Sequence, residues 1–348
     1  MYQDFKDLLG TELPIIQSPM AGVQGSALTI AVSQAGGLGS LPCGMLSIDQ
    51  IVDEIMAIQA GTDQPYNLNF FSHQPVPYDE KRQSQWQHAL QPYFNELKLE
   101  SPANSSGSSR VPFSHDIADA IEAFKPPVIS FHFGLPEQEL LKRVQGWGTK
   151  VVSSATTVAE AVWLEQQGVD AIIAQGVEAG GHRAMFMSDD LTTQMGLMAL
   201  LPRILDRVQV PVIAAGGIGD SLGVKSVLSM GATAAQVGTA YLLCDEAKTS
   251  ALHRAAIKSD QSLHTVLTNV FSGKPARGIV NRAIKELGPI SDTVPDFPYA
   301  SIEMTQLRGV AEQQSSDDFT PLWCGQNTLG CREVSAKVLT KALAEKIV

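Results

Sequence analysis

The chain has 348 residues, 44% of them hydrophobic, enough to bury a large core as one big domain or a domain with a sizeable insertion. A formal net charge of −11 and a pI near 5.1 argue against nucleic acid or an anionic membrane as partner, since neither surface attracts this field. The opening MYQDFKDLLG lacks the charged and apolar regions of a signal peptide, no apolar run approaches a membrane span, and Cys43, Cys244, Cys324 and Cys331 fit no common zinc spacing, so a soluble, cytoplasmic protein with reduced thiols is expected.

In chain order, LPIIQSPMAG and GGLGSLP bracket a helix around Ala27 to Gln34. A helix centred on Ile51 to Ile58 precedes the strand PYNLNFF, and PPVISFHFG supplies a fourth strand. From Lys150 the alternation becomes regular. KVVSSA is a β-branched run, and TTVAEAVWLEQQG is a helix with Thr157 and Glu160 spaced as a capping box and Gly168 at its C-terminus. VDAIIAQG is the next strand. The polar stretch AQGVEAGGHRA (Ala174 to Ala184) follows it and reads as neither helix nor strand. LTTQMGLMALLPRILDRV reads as a helix, VPVIAAGGIG as a strand, DSLGVKSVLSMG as a helix and ATAAQVGT as a strand. Strands apolar throughout are what a parallel sheet covered on both faces requires. Eight β/α units predict an α/β fold, a TIM (β/α)8 barrel, with a doubly wound sheet as the alternative.

Two stretches stand outside that repeat. Residues 72–125 are too long for a crossover and hold a helix near Glu80 to Leu97 and the low-complexity SPANSSGSSR, which reads as mobile. The second, 244–321, carries further helices and the Pro-rich PISDTVPDFP. The expected organisation is a barrel over 1–243 plus 322–348, interrupted at about 72–125, with a small, mostly helical substrate-side domain over 244–321 covering the mouth. CREVSAKVLTKALAEKI has apolar positions at helical spacing and would be the last barrel helix.

The unusual residues fall just after the strands, at the face where barrel active sites are built. SPMAG follows strand one, Asn69 ends strand three, His132 ends strand four, and Gln175 to Arg183 follow strand six. Taken singly, each glycine reads as a turn, and His132 as a core or lining residue; it is their gathering at one end that points to a site. After strands seven and eight come Gly216, Gly217, Gly219 and Gly238–Thr239, where barrels hold a phosphate on backbone N–H groups. That implies a phosphorylated substrate or a cofactor with a phosphate tail. No GxGxxG follows the first strand, which argues against a Rossmann dinucleotide site. Arg183 reads as a loop anchor, Lys274 and Arg277 as either a solvated basic loop or an attractor for an anion, and no metal site is implied.

PIIQSPMAGV, NLNFF, SFHFGLP, AQGVEAGGHRA, PVIAAGGIGD, GATAAQVGTAYLLCDEA and FSGKPARGI together resemble the nitronate monooxygenase (2-nitropropane dioxygenase) family, its class I branch in particular, from Leu13 to the final helix. The resemblance implies an FMN-dependent barrel that oxidises alkyl nitronates, such as propionate 3-nitronate, with O2 to a carbonyl compound and nitrite, a role in detoxification, and a monomer or homodimer. It places Met20 and Ala21 along the isoalloxazine, and Asn69 and Gln175 on the cofactor by hydrogen bonds. Gly180 and Gly181 give the ring room, and Gly217, Gln236, Val237, Gly238 and Thr239 hold the phosphate end. His182 matches the active-site histidine, as a donor to the anionic nitronate or a base toward a neutral nitroalkane, with a purely structural imidazole as the alternative. His132, Lys274 and Arg277 are candidate substrate contacts. The chain departs from the family in carrying Ala184 where Gly usually follows HR. Three rivals share the scaffold: an FMN- and NAD(P)H-dependent enoyl-ACP reductase, a non-catalytic flavin- or phosphate-ligand-binding module, and a barrel using a sugar phosphate without flavin.

Overall fold

A computed structural model describes residues 4–100 and 110–347; the SPANSSGSSR expectation therefore lies, apart from Arg110, outside the described residues. The strands are β1 Ile15–Gln17, β2 Gly39–Pro42, β3 Tyr66–Phe71, β4 Val128–His132, β5 Lys150–Ala155, β6 Ala171–Gln175, β7 Gly181–His182, β8 Val212–Ala215, β9 Ala234–Val237, β10 Thr265–Thr268 and β11 Ala276–Ile279. Eight of them form one parallel sheet in the order β1-β9-β8-β6-β5-β4-β3-β2. Its two ends meet through the parallel bridge Ile16–Leu38, where the Gln17 N–H donates to Leu38 O at 2.9 Å. The fold is a TIM barrel, and its strands are buried almost residue for residue, the polar Ser40, Asn67, Asn69, Ser130, Ser153 and Ser154 included.

The helices are α1 Asp4–Leu9, α2 Ser26–Gln34, α3 Ile48–Gly61, α4 Glu80–Glu96, α5 His115–Ile121, α6 Gln138–Gly146, α7 Val158–Gln166, α8 Leu197–Leu205, α9 Ser221–Ser229, α10 Ala251–Lys258, α11 Arg282–Leu287, α12 Ser301–Gln313 and α13 Ala336–Ala344. The capping box of α7 forms as its spacing predicts, and Gly168 beyond it sits at φ +85°. The helix expected over LTTQMGLMALLPRILDRV is shorter. Residues Leu191–Thr193 make a separate 3₁₀ turn, and α8 begins at Leu197, whose N–H donates to both Glu178 carboxylate oxygens at 2.9 and 3.0 Å. An acceptor supplied from the loop after β6 fixes where that helix starts.

A second apolar cluster lies apart from the barrel core. Trp86, Leu90 and Phe94 of α4 pack there with Ala300, Met304 and Leu307 of the α12 region and with Phe319. Gln83 Nε2 donates to the buried Glu303 carboxylate at 2.9 and 2.8 Å across the same contact. The two stretches that break the β/α repeat thus share one core. It also carries strand: β10, β11 and β7 form a three-stranded antiparallel sheet.

Candidate active site

The GGH stretch is not an irregular turn. Gly181 and His182 form β7, paired antiparallel with Arg277 and Ala276, and the Arg183 N–H donates to Pro275 O at 2.8 Å. The reading of AQGVEAGGHRA as free of strand is thus corrected: the partner, β11, lies almost a hundred residues away, so no local pattern reveals it. Gly181 has φ +72°, and a Cβ there would meet nothing within 4 Å, so this backbone borders open space. Gly180 differs. A Cβ on it would lie 2.5 Å from Gly325 N, so its missing side chain admits the segment Cys324–Gly325 rather than clearing room for a ligand.

Three anchors hold the loop from below. Arg183, 1% exposed, donates from NH1 to Gly176 O (2.7 Å), from NH2 to Gln175 O (2.8 Å) and from Nε to Gln194 Oε1 (2.9 Å). Gln175 spends both ends of its amide on the loop, Nε2 donating to His182 O (3.0 Å) and Oε1 accepting from the Ala184 N–H (2.9 Å). Glu160, buried in the first turn of α7, accepts from the Phe186 N–H at 2.8 Å. Ala184 is fully buried without a positive φ, so its methyl group fits a backbone that does not demand glycine there.

His182 stands on this platform with His132, His73, Phe71, Phe133, Phe297 and Trp323. Its ring centroid lies 5.9 Å from Phe133, 5.8 Å from Phe297 and 5.6 Å from Trp323. His132 Nε2 is 3.2 Å from the His182 carbonyl, which can only accept, so His132 carries its proton on Nε2. His182 Nε2 lies 2.8 Å from Ser272 Oγ. Phe133 takes φ +70°, a left-handed conformation costing a bulky residue ~1–2 kcal/mol, and that turn sets its ring beneath the Lys274 ammonium, 5.0 Å from the centroid. The Arg110 guanidinium lies over Phe297 at 5.5 Å.

These neighbours decide the charge of the histidines. Burial is the largest influence on His182, and Arg110, His132 and Lys274 add to it, holding the imidazole well below its ordinary range. Burial pushes His132 down to about 4, and burial with Lys274 and Arg110 pushes His73 down to about 4. At neutral pH all three rings are neutral, and the positive charge of the pocket resides on Lys274 and Arg110. Burial lowers Lys274 too, against the pull of Asp189 and Asp296. Among the described residues no three His, Cys, Asp or Glu are grouped to hold a metal ion.

Arg277, expected to be either solvated or aimed at an anion, is neither. It is buried in β11 and donates from Nε to Val177 O (2.8 Å) and from NH1 to Thr265 O (3.2 Å), because β7 and β10 flank it on both sides. Lys274, three residues earlier, does reach the pocket. Sequence reasoning missed Arg110, His73, Phe71, Phe133, Phe297, Trp323 and Ser272. Phe133 follows the singled-out His132 directly, Phe71 ends NLNFF and Ser272 lies in FSGKPARGI, so these were within reach; Phe297 and Arg110 lie in the Pro-rich and low-complexity stretches read for other reasons, and His73 and Trp323 carry no local mark.

The remaining candidates ring the same barrel end. The Met20 N–H donates to Gln24 Oε1 at 2.9 Å, fixing the loop that also carries Ala21. Asn69 Nδ2 donates to Ser130 Oγ and O (3.0 and 3.2 Å), leaving Oδ1 as its acceptor. Gln236 and Val237 end β9, and Gly238 leads into a 3₁₀ turn at Thr239–Leu243. A strap overlooked in the sequence, 324–331, crosses these loops. The Gly325 N–H donates to Thr239 Oγ1 (2.9 Å), Asn327 Nδ2 to Gly217 O (2.8 Å) and the Gln326 N–H to Glu178 O (3.0 Å). A wide hollow of about 670 Å³ opens at the other end of the barrel, beside Leu8, Gly10, Gln59, Pro65 and Lys150, but neither His nor Cys lines it.

The family model described as nitronate monooxygenase matches residues 3–346. The chain is 37% identical over 350 residues to nitronate monooxygenase from Pseudomonas aeruginosa, covering 100% of this chain and 99% of the relative. It is also 37% identical over 344 residues to nitronate monooxygenase from Paraburkholderia phytofirmans, covering 98% and 93%. Among solved structures it is similar to nitroalkane oxidase from Streptomyces ansochromogenes, at 36% identity and a TM-score of 0.89 over 99% and 97% of the two chains. FabK from Thermotoga maritima is similar at 25% identity and a TM-score of 0.72, over 98% and 94%.

Proposed function

The chain belongs to the nitronate monooxygenase family of oxidoreductases, and from that premise we propose that it uses FMN and O2 to oxidise alkyl nitronates, propionate 3-nitronate among them, to a carbonyl compound and nitrite. The observation that carries the reading is the His182 pocket: a neutral imidazole and a half-buried ammonium beside aromatic rings, next to the open backbone at Gly181.

The residues present fit FMN. Gly181 leaves space where a side chain would stand, Asn69 Oδ1 offers an acceptor, and Gly217, Gly238 and Thr239 offer backbone donors at loops that need no cation for a phosphate. Met20 and Ala21 would lie along the ring system, and Gln236 and Val237 would help hold the ribityl phosphate. Gln175, Gly180 and Arg183 would act one layer further back, by fixing the loop. When bound, FMN supplies the two-electron oxidation and the reaction with oxygen. Lys274 and Arg110 attract the anionic substrate, and the aromatic rings exclude water and so strengthen that attraction. His182, being neutral, does not hold the anion by charge; it is the group able to take a proton from a neutral nitroalkane.

The purified protein should be yellow with a flavin spectrum and should release nitrite from propionate 3-nitronate in air. A colourless protein that takes up no FMN, or one without nitrite release, defeats the reading. The likeness to FabK keeps a reductase reading as the second choice, and the NAD(P)H-dependent enoyl-ACP reductase is its concrete form. Rapid bleaching of the flavin by NADH or NADPH without air would favour it.

A further inference from the structure

Neutral His182 has one ring nitrogen that donates and one that accepts, and the tautomer decides what faces the substrate. Among the described residues Ser272 is the side chain within hydrogen-bond distance of the ring, with its Oγ 2.8 Å from Nε2. Ser272 is itself held by the turn that carries Lys274. Its hydroxyl donates to Lys274 O at 3.3 Å, and its oxygen accepts from the Lys274 N–H at 3.4 Å. A serine has one proton to give. When that proton goes to Lys274 O, Nε2 must be the donor to Oγ, and Nδ1 is left with its lone pair.

The Lys274 ammonium over Phe133 and the Arg110 guanidinium over Phe297 sit on the two rings that border His182. The geometry points to Ser272 as a positioning residue that accepts from His182 Nε2–H, passes its own proton to the Lys274 carbonyl, and thereby presents Nδ1 as the base that takes the α-proton of a neutral nitroalkane. In that step the C–H bond breaks, its electron pair stays on the substrate as the nitronate anion, and the proton makes His182 an imidazolium beside that anion. Lys274 and Arg110 stabilise the anion as it forms. The inference rests on the proposed function for the oxidation that follows, but the proton transfer concerns this chain's own residues.

The test compares Ser272→Ala and Ser272→Thr with wild type in the FMN-loaded protein. Nitrite release is followed from a neutral nitroalkane and from its preformed nitronate, and the ¹⁵N shifts of the His182 ring are recorded. Loss of the hydroxyl should lower the nitroalkane-to-nitronate rate ratio at least ~10-fold, within the range that general base catalysis contributes. Threonine should restore the ratio, and wild-type His182 should show its proton on Nε2. A ratio unchanged in Ser272→Ala, a wild-type enzyme inert toward the neutral nitroalkane, or a proton on Nδ1 would each overturn the assignment. Failure of the proposed function reads differently, as no nitrite from the nitronate itself, and in that case the ¹⁵N tautomer still decides for or against Ser272.

Discussion

The glycine loops after β8 and β9 and the pocket around His182 share one end of the barrel, yet they are built from different material. The loops are backbone: Gly217, Gly238 and Thr239, tied down by Asn327 and Gly325 of the strap that crosses them. The pocket is side chain: His182, Lys274, Arg110 and four aromatic rings, brought from β3, the turn after β4, β7, the turn before β11 and the segments at Arg110, Phe297 and Trp323. A backbone site needs little beyond the correct φ angles and keeps its geometry whatever the pH. A side-chain site gains its chemistry from desolvation, and burial, helped by the neighbouring cations, is what neutralises its histidines.

The sharpest way to separate the halves is to remove chemistry without touching the loops. His182→Asn keeps a polar group of similar reach and should retain bound FMN while losing at least ~100-fold of the turnover with a neutral nitroalkane. The flavin spectrum and the nitrite assay on one sample check both statements. Unchanged turnover would return His182 to a structural role.

The neighbouring glycines allow the converse experiment. Gly180→Ala forces a Cβ to within 2.5 Å of Gly325 N, backbone against backbone, and should cost more than about 2 kcal/mol in urea unfolding. Gly181→Ala meets open space and pays only for its φ of +72°, about 1 kcal/mol, but it should weaken FMN binding more than Gly180→Ala does per unit of stability lost. If Gly181→Ala left FMN affinity intact, the cofactor would not pass beside it.

Lys274 and Arg277 stand three residues apart in one motif and divide along the same line. Lys274→Met should raise KM for an anionic nitronate roughly 10-fold, the loss of one partly buried charge contact worth about 1.4 kcal/mol, with a smaller change in kcat. Arg277→Met should instead lower stability by about 1–3 kcal/mol, because the Val177 and Thr265 carbonyls lose their donor. Steady-state kinetics beside unfolding curves distinguish the two. Equal effects from both substitutions would erase the distinction.

That division also explains what could be read from the chain alone. The barrel was legible because short, largely apolar runs alternate with helical stretches, and both signals are local. The glycine loops were legible for the same reason: Gly216, Gly217 and Gly238 stand directly behind the runs that position them. The pocket was legible only in part. His182 and Lys274 sit in conspicuous motifs, but Phe297 and Trp323 come from stretches with no periodicity, and Arg110 ends a low-complexity run. Arg277 was misplaced because its charge was visible while its burial between β7 and β10 was not. The second core was hidden likewise, since α4 and α12 are separated by some two hundred residues and neither announces its partner.

Acid offers the finest test of the contrast, because only the side-chain half responds to it. His73, at the pocket, and His253, whose Nε2 lies 3.1 Å from Trp323 O behind it, are both buried and pushed down to about 4. Burial is the main cause for each, with Lys274 and Arg110 helping at His73 and the Trp323 carbonyl opposing at His253. In the unfolded chain both titrate near ~6.5. Above that value neither state binds the proton, and the full stability is present. Below it the unfolded state gains protons that the native rings refuse, so stability falls as pH drops, by up to ~1.4 kcal/mol per pH unit for each ring, until the native rings protonate near 4. Urea midpoints measured at pH 7, 6 and 5 should therefore decline, and His73→Asn should flatten the slope by the share of one ring. A midpoint independent of pH over that range would mean these rings are solvated, and with that the case for a neutral, desolvated His182 beside them would weaken too.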